Sequence, residues 1–109
     1  MNDYSRLYYC GGHPGLKVCE PTEATVNVSR KGITIGVKDG QVCIPWPAVR
    51  EIKEEQHGVG RQSQPGVTIT ASQVEGVSEA EFEIALVCPN GYYARALAMR
   101  LGLAVPTPR

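Results

Sequence analysis

The chain has 109 residues, 42% hydrophobic and 20% charged, which is a globular composition for one domain and leaves no room for a second. Eleven Lys and Arg balance eleven Asp and Glu, and this neutral total argues against a nucleic-acid binder, which shows a basic domain. Twelve Gly and eight Pro in so short a chain fit short strands and tight turns better than long helices. No window approaches 18 consecutive apolar residues, and the first twelve residues hold no apolar stretch of signal-peptide length. The expectation is a cytoplasmic protein, and with it four cysteines free of disulfides.

Tyr4 to Tyr9 reads as a short strand, followed by an irregular turn through Cys10-Gly11-Gly12-His13-Pro14-Gly15. Residues 24–30 alternate Val26 and Val28 with Thr25, Asn27 and Ser29, the pattern of a half-buried strand. Residues 33–37 alternate again through Ile33, Ile35 and Val37. Asp39-Gly40 then gives a hairpin signal before residues 42–46, where Val42, Ile44 and Trp46 share a face. Pro45 directs that strand to an edge or an end. These three strands form an antiparallel meander.

Pro47 to Arg50 reads as a single helical turn with Pro47 at its start. Residues 51–56 read as a short exposed strand around Ile52. Residues 57–66 show no period and hold three Gly, so they read as a loop. Residues 67–71 alternate Val67, Ile69 and Ala71, and residues 81–88 place Phe82, Ile84, Leu86 and Cys88 on one face. At Pro89 the period changes. Asn90 is a suitable helix N-cap, and Tyr93, Ala94, Leu97, Ala98 and Leu101 make one apolar stripe, with Gly102 as the stop. The core spans about residues 10–103, with 104–109 as a tail. A mainly β fold follows, a curved antiparallel barrel or sandwich whose open end, near Phe82 and Leu86, is capped by the C-terminal helix.

The order of these elements resembles the pleckstrin-homology-like domains of bacterial proteins. VNVSRKGITIG is similar to the opening strand pair of that family, and QVCIPWPAVREIKEE resembles its next element, a strand running into Ile-Pro-Trp and an apolar–charged stretch. Gly11 to Pro14 is similar to a turn near the start of small bacterial members, and the last strand with RALAMRLG resembles the capping helix. The chain is short between Ile52 and Phe82 for this pattern, so a strand there is expected to be reduced or absent. The resemblance covers roughly residues 10–103 and implies a PH-like scaffold for ligand, peptide or protein binding, without catalysis. A fold of this kind does not by itself specify a ligand.

Cys10-x2-His13-x5-Cys19 is the one metal-like spacing, but it lacks a fourth ligand, so no metal and no cofactor is expected. The plain reading makes His13 a turn residue whose ring bonds nearby backbone. A cysteine nucleophile needs an oriented base, and nothing at a recognisable spacing orients His13 toward Cys10. Arg30, Lys31 and Lys38 flank the strand Ile33–Val37 and are the candidate cations for an anionic headgroup. Glu51, Lys53 and Glu55 lie on the polar strand 51–56, a candidate edge for strand addition. The sequence therefore points to a non-enzymatic interaction module that binds a peptide or protein partner, or pairs with itself. The alternatives are a membrane-surface module binding anionic lipid, and a small metal-stabilised regulatory domain.

Overall fold

In the computed structural model, which describes residues 3–13, 15–16, 18, 20–38, 40–59, 62–72 and 81–104, the chain is mainly β with one C-terminal helix. The strands are β1 (Asp3–Tyr9), β2 (Thr22–Val28), β3 (Gly32–Val37), β4 (Gly40–Pro45), β5 (Val49–Val59), β6 (Gln62–Ser72) and β7 (Glu81–Val87). A 3-10 turn, Trp46–Ala48, joins β4 to β5, and α1 covers Gly91–Ala104. All seven strands belong to one antiparallel sheet in the order β4-β3-β2-β1-β7-β6-β5.

This order forces curvature. A flat sheet would hold its two end strands about 29 Å apart, six gaps of roughly 4.8 Å. Here those end strands, β4 and β5, are consecutive in sequence and joined by the three residues Trp46–Ala48. The sheet therefore curls until its ends meet at one corner. Trp46 sits at that corner, buried, with its indole Nε1 donating to the Ser29 carbonyl at 2.8 Å. Among the described residues no ladder joins β4 to β5, so the curl is an open sheet and not a barrel closed by hydrogen bonds.

The alternating pattern positions the core as expected. Ala24, Val26 and Val28 of β2, Ile33 and Ile35 of β3, Ile44 of β4, and Ile84 and Leu86 of β7 point inward and are buried. The Asn90 side chain caps α1, accepting from the Tyr93 amide at 2.8 Å. Ala94, Leu97 and Leu101 are fully buried in the same core, flanked by half-buried Tyr93 and Ala98. The helix packs on β5 and β6. The His13 ring lies edge-on to Phe82 at 4.8 Å, within the core that Phe82 and Leu86 share with Leu97 and Leu101.

Three expectations are revised. Residues 57–59 and 62–66 are strand and not loop: β5 runs to Val59 and β6 begins at Gln62, and their register pairs His57 with Gln64 and Gln56 with Pro65. The hairpin outruns the core, so its outer part has no apolar alternation, and backbone pairing holds it. No strand between Ile52 and Phe82 is lost, since β5 and β6 are eleven residues each. Gly102 does not end the helix, which continues to Ala104. A glycine costs a helix interior only about 1 kcal/mol, less than the anchoring of Leu101 supplies. Residues 105–109, like Asp39, Gly60 and Arg61, lie outside the described residues.

Candidate functional site

Strand β5 is the last strand of the sheet, and among the described residues it pairs with β6 alone. A strand in that position presents a free row of backbone N–H and C=O groups. The strand is regular from Glu51 onward. Between Val49 and Glu51 the register shifts, and the exposed Arg50 leaves the ladder to donate from Nε to Ser72 Oγ at 2.6 Å. The bulge arises where the 3-10 turn enters the strand.

From Glu51 the side chains alternate. Glu51, Lys53, Glu55 and His57 face Thr70, Thr68, Gly66 and Gln64 across the ladder and form the outer row. Ile52 faces buried Ile69 on the inner side, and Glu54 follows it there, opposite Val67. Glu54 lies 3.7 Å from Arg95 of α1. Arg95, placed off the apolar stripe by its spacing, thus supplies a cation to this edge. The sequence-predicted residues Glu51, Lys53 and Glu55 are therefore brought together, with Lys53 Nζ 3.9 Å from Glu55.

His57 belongs to the same row, and sequence reasoning missed it by assigning it to a loop. Its signal was the continued two-residue spacing from Glu51 through Lys53 and Glu55. The Thr68 hydroxyl donates to Glu55 and lies 3.1 Å from His57 Nε2. With the single hydroxyl proton directed to Glu55, Nε2 is the donor in the second bond. Gly66 makes room for this arrangement, because a Cβ there would overlap the His57 ring and the Leu86 carbonyl. The Thr68 hydrogen bond, helped by the positive charges of Lys53 and His57, holds the Glu55 carboxyl below its usual range.

The second set of predicted residues does not converge. Arg30 and Lys31 lie in the turn between β2 and β3, whereas Lys38 lies at the other end of β3, in the turn to β4. The six residues of β3 hold the two ends about 20 Å apart. Lys38 instead borders an open hollow of about 840 Å³ on the outer face of β1–β4, with Arg6, Glu23, Thr25, Gly36 and Gln41. Arg6 has φ 63° in the bulge between Tyr4 and Leu7. The hollow carries both signs of charge and no convergent cluster.

Of the metal-like spacing, Cys19 lies outside the described residues. His13 is buried in a backbone network: its Nδ1 accepts from the Gly15 amide at 2.8 Å, and its own amide donates to the Tyr9 hydroxyl at 3.0 Å. Burial holds its imidazole below the usual pKa, and burial raises the Cys10 thiol. The Cys88 thiol, buried among core residues, is pushed up to about 11, chiefly by burial and further by Glu54. Among the described residues no group of three His, Cys, Asp or Glu is placed to hold a metal ion, and no helix is long and apolar enough to cross a membrane. Against known protein families and curated proteins, the chain matches no family model and no curated protein.

Proposed function

We propose that this chain is a non-catalytic interaction module of the PH-like type that takes up an extended protein segment along β5. The observation that carries the reading is the position of β5: an eleven-residue strand that ends the sheet and, among the described residues, has a hydrogen-bonded neighbour on one side only. Strand addition at such an edge draws affinity from main-chain hydrogen bonds and specificity from alternate side chains. Here Glu51, Lys53, Glu55 and His57 form the reading row, with Ile52 and Glu54 on the other side. Support for the PH-like type comes from the succession of seven strands and one helix, the order of elements on which the resemblance rests. The membrane-surface alternative finds less support, because Arg30 and Lys31 are separated from Lys38 by the length of β3.

The test is hydrogen exchange on the complex formed with whatever protein the chain retains from its native cell extract. The expected result is slowed exchange of β5 amides in the bound state. Protection confined to α1 or to the hollow at Arg6, with β5 unchanged, would refute the edge reading. Flotation with vesicles of anionic lipid covers the alternative, and the expected result is no enrichment with the vesicles.

A further inference from the structure

We infer that the occupant of the β5 edge is the β5 strand of a second copy of this chain, paired antiparallel about a two-fold axis at Glu54. The inference rests on the edge reading above and adds a partner and a register to it. Charges along an edge ordinarily keep other strands away. On β5 they do so selectively.

In an antiparallel pair, residues directly opposite share a face, and opposite charges there are favourable while like charges are not. Centring the pair on Lys53 sets Lys53 against Lys53 and Glu51 against Glu55 of the second copy. Centring it on Glu55 sets Glu55 against Glu55. Both registers place like charges in contact. Centring it on Ile52 requires Arg50 and Val49 in the ladder, where the bulge breaks the strand. Centring it on Gln56 leaves Lys53 with no acidic residue opposite. Centring it on Glu54 sets Lys53 against Glu55 twice and Glu51 against His57 twice, all within the regular stretch that begins at Glu51.

On the inner side this register carries one like-charged pair, Glu54 against Glu54 at the axis, and the Arg95 guanidinium 3.7 Å from each Glu54 offsets it. Next to Glu54 is a hollow of about 480 Å³ bordered by Asn90, Gly91, Tyr92 and Arg95. Tyr92, 90% exposed at the start of α1, stands beside this edge as a large apolar ring without cover. A two-fold axis through Glu54 and perpendicular to the sheet places both helices on one side, so each Tyr92 gains the neighbouring copy as cover.

The experiment uses sedimentation velocity on the full chain at about 0.1–1 mM, a range that detects weak association. Wild type is expected to dimerise. Lys53→Glu and Glu55→Lys, each shown to be folded by circular dichroism, are each expected to lose more than about tenfold in dimerisation, since both Lys53–Glu55 pairs become like-charged. Mixed one to one, the two variants are expected to recover a heterodimer, because each supplies the charge that the other lacks. A second measurement does not depend on those variants folding: in a Cys43→Ser background, Glu54→Cys is expected to form an intermolecular disulfide readily, and Gly58→Cys is not. A monomeric wild type, or a mixture that stays monomeric, would overturn the pairing. If the chain stays monomeric while an extract protein still protects β5, the pairing fails and the edge reading stands.

Discussion

Replacing Trp46 tests the corner that makes the sheet curl. The side chain is 6% exposed, and its indole Nε1 bonds the Ser29 carbonyl at 2.8 Å. Truncating a buried Trp to Ala costs about 3–5 kcal/mol through lost burial and the cavity left behind. The hydrogen bond supplies only about 1 kcal/mol of this. Trp46→Phe keeps most of the apolar bulk and gives up that bond, so it is expected to cost about 1–2 kcal/mol. Against a total stability of about 5–15 kcal/mol, Trp46→Ala removes about a fifth or more, and Tm is expected to fall by about 12–25 °C. Urea and thermal unfolding followed by far-ultraviolet circular dichroism measure both variants. Fluorescence is unsuitable, because Trp46 is the one tryptophan in the chain. A Trp46→Ala protein within about 0.5 kcal/mol of wild type, inside the range of ordinary surface sites, would refute the packing argument. A Trp46→Phe variant as damaged as Trp46→Ala would shift the role from packing to the hydrogen bond.

Three other perturbations have defined outcomes. Leu97→Asp places a carboxylate at a fully buried helix position and is expected to unfold or aggregate the domain, whereas Arg95→Ala, at an exposed ion pair, is expected to stay within about 0.5 kcal/mol in the same unfolding assay. Gly12→Ala is expected to destabilise by more than about 1 kcal/mol, because Gly12 has φ 120° and an added Cβ would overlap the Glu83 carbonyl; an unchanged urea midpoint would contradict it. His13, its pKa lowered by burial, binds fewer protons folded than unfolded, so stability is full above the ordinary pKa of about 6.5 and declines as pH falls from there toward the folded value. Urea midpoints at several pH values should show that decline in wild type and a weaker one in His13→Gln.

The parts of the fold legible in the sequence are those in which side-chain period and burial coincide. Val26, Val28, Ile33, Ile35 and Ile84 alternate because one face of each strand meets the core. The helix is announced by Asn90 and by the spacing of Ala94, Leu97 and Leu101. Residues 57–59 and 62–65 carry no such apolar period, since β5 and β6 there extend beyond the core and are held by their own ladder. For the same reason Glu51, Lys53 and Glu55 were found as an exposed strand while His57, two residues further along the same row, was not. Arg30, Lys31 and Lys38 are close in sequence, but an extended strand separates its two ends by its whole length. The bonds among Tyr9, His13 and Leu16 depend on how an irregular turn folds back on β1, and no spacing rule describes that.

The sheet's order has a consequence for how the chain reaches its structure. Every neighbouring strand pair but one is consecutive in sequence, so β2–β4 and β5–β7 can each form from nearby residues. The exception is the seam between β1 and β7, where Tyr8 faces Val87 and Tyr9 faces Leu86, continued by Cys10 and Gly11 bonding to Ala85. Closing that seam joins the two ends of the chain, a long loop whose entropy is lost before its few contacts form. The two halves are thus expected to behave as leaves that fold early and are fastened late, with the seam as the first place to open. Native-state hydrogen exchange can locate it: the amides of Cys10 and Ala85 should exchange at lower opening energy than those within β2–β3 or β6. Equal protection across all of them would mean that the leaves and their fastening form as one unit.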